Sequence, residues 1–179
     1  MTFHAESRIY REARPFWERI CAECSTRGSK KIAGLDLSPA RVGVAISDEG
    51  REISIPLGTF HVKSSSGGIG LLKPNRRLYD HIRNELAAGG IAGWVVGWPL
   101  DLQGRQQYRT EQTLAMIKDL QDTFFKASFG HILLHDERYS TILARADALD
   151  RPHGARISLD ALAASRILQE FLDLASRFE

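Results

Sequence analysis

Apolar residues come first in short runs with period two and later recur every three to four positions, so strands precede helices. Lys31-Ile32-Ala33-Gly34-Leu35-Asp36 is a short apolar run that ends in an acid. Ser38-Pro39-Ala40-Arg41 supplies a turn, and Val42-Gly43-Val44-Ala45-Ile46 reads as a second buried strand. After the turn residues Asp48-Glu49-Gly50, Glu52 to Leu57 alternates as a third strand, with Pro56 suiting a sheet edge. The Gly/Ser stretch from Ser64 to Gly70 reads as a mobile loop within the basic segment Lys63–Arg77. Leu78, Ile82 and Leu86 then fall at helical spacing. Trp94-Val95-Val96-Gly97 is a fourth strand, Glu111 to Phe125 a second helix and Ile132 to His135 a fifth strand. Thr141–Leu149 and Ser158–Phe178 complete the pattern as helices.

The order β-β-β-α-β-α-β-α-α predicts an α/β fold with a mixed five-stranded sheet. A three-strand antiparallel meander is followed by βα units, and helices cover both faces. That order is the one used by the ribonuclease-H-like (RNase H-like) architecture. The pattern starts at about residue 30, so the domain is expected over residues 30–179. Residues 1–29 form an extension, read as a short surface helix or a partly disordered segment. They lack the apolar core of a secretory signal. Arg8, Arg11, Arg14 and Arg19 would suit a transit peptide, but Glu6, Glu12, Glu18 and Glu23 count against one.

Composition narrows the classes. A hydrophobic fraction of 43 % in 179 residues supports one ordinary core. No apolar run approaches the roughly 18–20 residues that cross a bilayer, so no membrane partner is expected. The net charge of +2 does not announce nucleic-acid binding and leaves room only for local basic patches. Two cysteines, Cys21 and Cys24, are too few for a disulfide scaffold or a four-ligand zinc site.

Three acidic positions attract attention. Asp36 closes a buried strand, where it either caps the next turn or belongs to a site. Asp136 and Glu137 follow the fifth strand in a βα loop. Asp160 opens the last helix after Ser158, a good N-cap residue. Ala164, Ile167 and Phe171 lie at i+4, i+7 and i+11 from Asp160, so this acid heads the stripe that packs on the sheet. Carboxylates converging at a sheet edge repel one another, and a divalent cation relieves that repulsion. Oxygen donors favour Mg²⁺ or Mn²⁺. Such ions activate water for phosphodiester hydrolysis without a side-chain nucleophile. Gly97 to Gly104, followed by Arg105 and Arg109, reads either as a phosphate-approaching loop or as an ordinary tight one. His131 and His135 bracket one strand and read as ordinary hydrogen-bonded residues.

Four blocks, taken in order, resemble the YqgF/RuvX family of pre-16S rRNA nucleases, also described as Holliday-junction-resolvase-like. They are Gly34-Leu35-Asp36-Leu37-Ser38 with Arg41-Val42-Gly43-Val44-Ala45, Val95-Val96-Gly97-Trp98-Pro99-Leu100 through Gly104, Asp136-Glu137-Arg138-Tyr139-Ser140-Thr141, and Asp160-Ala161-Leu162-Ala163-Ala164 with Ile167-Leu168-Gln169. Ser38 stands where the family pattern has Gly, and Trp98 where it has Leu. Asp101-Leu102-Gln103 replaces an Asn-x-Asp-like stretch.

The resemblance implies a hydrolase that cuts phosphodiester bonds in 5′-end maturation of small-subunit rRNA. Asp36, Glu137 and Asp160 would be its catalytic and metal-holding residues, with Asp136 as a further ligand and Mg²⁺ or Mn²⁺ as cofactor. The expected partner is structured RNA such as pre-rRNA, with branched DNA as the alternative. Arg41, Gly97, Gly104, Arg105, Arg138, Lys73, Arg76 and Arg77 are the expected nucleic-acid contacts. A non-catalytic nucleic-acid-binding or ribosome-assembly module, a Holliday-junction-resolving endonuclease and an actin-like or sugar-kinase-like phosphotransferase are the rival readings. Monomer and homodimer are both open. The expected location is cytoplasmic for a bacterial chain, with an organelle open to a eukaryotic one.

Overall fold

The computed structural model describes residues 8–27, 31–65, 68–73, 76–88, 90–99, 108–120, 122, 130–136 and 157–178. Its elements are β1 (Arg8–Tyr10), α1 (Ala13–Arg27), β2 (Lys31–Ser38), β3 (Arg41–Ser47), β4 (Ser54–Ser65) and β5 (Gly68–Lys73). They continue with α2 (Arg76–Ala87), β6 (Ile91–Trp98), α3 (Tyr108–Leu120), β7 (His131–Asp136) and α4 (Leu159–Ala175). The strands form one sheet in the order β1-β7-β6-β2-β3-β4-β5. β2, β3, β4 and β5 pair antiparallel, while β2, β6, β7 and β1 run parallel. This is the RNase H-like arrangement, with seven strands where the sequence pattern predicts five.

The two extra strands correct two expectations. Of the Gly/Ser stretch predicted as a mobile loop, Ser64 and Ser65 end β4 and Gly68 to Gly70 open β5, and these two strands pair antiparallel. Backbone pairing needs no apolar side chain, so glycines and serines in a strand leave no hydrophobic period to read. At the other edge, β1 pairs with β7 in parallel. Three residues are too few for periodicity to reveal.

The predicted surface helix in the extension is α1, and it is not confined to the surface. Phe16 and Ile20 are fully buried, and Trp17 nearly so. A Cβ on Gly93 would sit 2.8 Å from Phe16 and 2.6 Å from Ile20, so the missing side chain makes room for this helix. The third strand begins two residues later than predicted because Asp48 extends the preceding turn. Its Oδ1 accepts hydrogen bonds from the Glu52 and Ile53 amides at 2.8 and 3.0 Å. Pro56 lies on β4 beyond the stretch, His61 to Ser65, that pairs with β5. Its missing N–H therefore costs no pairing on that side. The predicted helix at Thr141–Leu149 lies outside the described residues.

Strand alternation divides the core between the two faces. Ala33, Leu35, Val42, Val44, Trp94, Val96, Ile132 and Leu134 pack with Leu78 and Ile82 of α2 and Ile117 and Leu120 of α3. Ile32, Ala45, Val95 and Leu133 pack instead with Phe16 and Ile20 of α1 and Ile167, Leu168 and Phe171 of α4.

Candidate active site

Asp36 shares its face with Ile32 and Gly34, the side covered by α4. Two glycines let that helix come close. A Cβ on Gly34 would lie 2.8 Å from the Ala164 carbonyl oxygen and 2.8 Å from the Leu168 Cβ. A Cβ on Gly43, the residue paired with Asp36, would overlap the backbone of Asp160. The start of α4 is fixed by Ser158, whose Oγ accepts from the Ala161 amide at 3.3 Å. Ser158 also shares a short hydrogen bond with Thr59 Oγ1 on β4. Asp160 is thus held in the first turn of α4, directly over the β3 residue beside Asp36.

The two carboxylates sense one another. Burial pushes the Asp36 pKa up from 3.8 to about 6, the Asp160 charge pushes the same way, and Arg41 opposes both. Arg41 is half-exposed, with Nε 3.1 Å from Asp160 Oδ1 and 3.0 Å from Oδ2. The site therefore joins a partly buried acid, a second acid at a helix start and one guanidinium. Ser38, where the family pattern has Gly, closes the β2–β3 turn by donating to the Arg41 carbonyl at 2.9 Å.

The remaining expected residues divide. Asp136 ends β7 and takes the parity of Ile132 and Leu134, which belong to the face opposite Asp36. Glu137, Arg138, Gly104 and Arg105 lie outside the described residues. Gly97 is buried on β6, one step beyond the Leu35↔Val96 pair and so beside Asp36. Arg76 and Arg77 are exposed at the start of α2, and Lys73 ends β5. Among the described residues, no three His, Cys, Asp or Glu side chains converge.

Sequence reasoning passed over His135. It pairs with Gly97, which puts it on the face and row of Asp36 with a side-chain-free position between them. Its Nε2 lies 3.8 Å from Glu170 Oε2 on α4. The proximity of His135 is the leading reason that the Glu170 carboxyl sits below its usual range, and Arg166 acts the same way. The period-two count from Leu133 places His135 on this face, but only the sheet order reveals what lies across from it.

The fold and the acid pair define an RNase H-like domain with an acidic centre where its parallel strands end. A family model described as RuvX: Holliday junction resolvase matches residues 30–174, and the chain belongs to this family. A protein of Ehrlichia chaffeensis is 33 % identical over 156 residues, covering 84 % of this chain and 90 % of that one. One from Sphingopyxis alaskensis is 33 % identical over 153 residues, covering 82 % and 89 %. Both bear the name "Putative pre-16S rRNA nuclease". A solved structure of T. thermophilus RuvC with a Holliday junction substrate is 14 % identical. It covers 81 % of this chain and 95 % of its own, with a TM-score of 0.40. Family and relatives place the chain among nucleases, hydrolases that act on phosphodiester bonds.

Proposed function

We propose that the chain is a metal-dependent nuclease acting in 5′-end maturation of small-subunit rRNA. Asp36 and Asp160 would be two of its catalytic carboxylates. The observation that carries this is the placement of Asp160, at the start of α4, over Gly43, the residue paired with the partly buried Asp36. Two acids forced together raise each other's energy when both are ionised. Folding tolerates this arrangement because it is useful, and a cation is the usual means of relieving it.

The donor set fits Mg²⁺ or Mn²⁺, since Asp36 and Asp160 offer only hard oxygen atoms. Glu137 is the proposed third donor, on the strength of its Asp-Glu-Arg block. Asp136 becomes the weaker candidate because of its strand parity. Bound there, the ion would supply charge neutralisation and acidify water. The chain's own residues do the rest. Asp36 and Asp160 orient the attacking water, and Gly43 and Gly97 keep the floor beside Asp36 clear of side chains. Arg41 steadies Asp160 and can turn one guanidinium edge to a phosphate. Arg76, Arg77, Lys73, Arg105 and Arg138 are proposed contacts along the nucleic acid.

The test is Mg²⁺- or Mn²⁺-dependent cleavage of a small-subunit rRNA precursor, run beside a four-way DNA junction. The expected result is RNA cleavage that disappears in Asp36→Asn with the fold intact. Undiminished cleavage in that variant sinks the assignment, and cleavage of the junction alone replaces the RNA reading with branched DNA.

A further inference from the structure

Residues 8–27 lie before the 30–174 span of the family match, yet they are built into the sheet. β1 pairs in parallel with β7, from Arg8↔His131 to Tyr10↔Leu133, so it ends toward the edge where β2 ends. The next residue, Arg11, leaves the sheet at the edge that carries Asp36. Three strand spacings, about 14 Å, separate β1 from β2. Arg11 reaches back past β7 as far as β6. Its guanidinium carbon lies 5.4 Å from the centroid of the Trp98 ring on β6, the strand beside β2. Trp98 is buried and Arg11 exposed.

A guanidinium laid on an aromatic face is held by cation–π attraction while its N–H edges stay free. Charge sets Arg11 apart from the arginines held in ion pairs, as it does Arg14 and Arg51, which stack on Phe178 and Trp17. Arg41 pairs with Asp160, Arg166 with Glu170 and Arg19 with Glu23. Among the described residues, no carboxylate pairs with Arg11. Trp98 takes the parity of Trp94 and Val96, so Arg11 lies on the α2/α3 face, at the same end of the sheet as Asp36 but across it. A positioned, unneutralised guanidinium there meets what a phosphate backbone crossing that end requires. We propose that Arg11, braced on Trp98, contacts the phosphate backbone of an RNA strand lying across the edge that carries Asp36. The segment preceding the family match would then be part of the substrate surface.

This role rests on the RNA-cleaving reading above, and two measurements keep them apart. The first is binding of a single-stranded RNA oligonucleotide by the Asp36→Asn protein at several salt concentrations. Arg11→Met keeps an apolar cover on Trp98 and removes the charge, while Arg11→Lys keeps the charge. Arg11→Met should weaken binding several-fold and make the plot of log K against log salt shallower by about 0.7. Arg11→Lys should keep the slope. Lys118→Met, in the last turn of α3 at the opposite end of the sheet, should change neither. The second measurement is precursor cleavage with Asp36 present, where Arg11→Met should raise KM and leave kcat unchanged. An unchanged slope in Arg11→Met overturns the contact, even if affinity falls through lost packing. A shallower slope without any Asp36-dependent cleavage keeps the contact and removes the nuclease reading.

Discussion

Two polar clusters flank the parallel part of the sheet, one toward each end, and they treat charge in opposite ways. Where β7 begins, His131 is buried but well matched. Its Nε2 lies 2.8 Å from Glu23 Oε1, its Nδ1 lies 3.3 Å from the Tyr10 hydroxyl, and Arg19 stands against Glu23 at 3.1 Å. Every partner comes from β1 or α1, so the cluster clasps the N-terminal segment to the sheet. Where β2 ends, Asp36 is partly buried near another acid, and one half-exposed arginine does not offset the cost. Matched charge fixes structure, whereas mismatched charge stores free energy that a ligand can release.

The comparison breaks most decisively at Asp36. Asp36→Asn should lower cleavage on the order of 10³-fold, a typical scale for removing one preorganised catalytic group. Loss of activity and gain of stability should go together in this variant. A raised acid pKa means that the native state holds its proton more tightly than the unfolded chain. Stability therefore falls as pH rises from about 4 to about 6, by roughly 3 kcal/mol for a shift of about two units. Denaturant titrations across that window should show the decline in the native protein and a flatter curve in Asp36→Asn. Activity at sub-saturating Mg²⁺ should run the other way, rising through about pH 6 as Asp36 ionises and can take the metal, and a Mg²⁺ requirement independent of pH there would separate Asp36 from metal binding.

Gly43→Ala should cost about 1–3 kcal/mol, because the new methyl meets backbone that cannot swing aside. It should also reduce cleavage by displacing the start of α4, and unaltered kinetics would show that the Asp160 position is not critical. Smallest is Glu23→Gln in the matched cluster. It should lower stability by about 1 kcal/mol and leave kcat unchanged, as one hydrogen-bonded charge on a partly exposed side chain is worth little more. A fall in kcat would mean that the two ends of the sheet are coupled.

Much of this site was legible because its carriers are periodic. The stripe from Asp160 through Ala164, Ile167 and Phe171 turned a helix-start acid inward, and α4 buries the last three. Asp36 was legible as an acid ending an apolar strand. His135 was not, because its meaning depends on Gly97 and Asp36 lying across two neighbouring strands. Arg41 was read as a nucleic-acid contact, and its pairing with Asp160, 119 residues away, was beyond any local pattern.

The sequence by itself determined the strands β2, β3, β6 and β7, the helices that cover them and the choice of Asp36 and Asp160. Local periodicity and capping chemistry encode those features within a few residues of where they act. Tertiary structure alone decided that serines and glycines of the Gly/Ser stretch pair as parts of β4 and β5 and that three residues before α1 join the sheet. It likewise decided that a glycine opposite Asp36 admits a helix backbone and that Asp136 and Asp36 fall on different faces. Each of those depends on which strand lies beside which, and that order is set by how both faces of the sheet become buried at once.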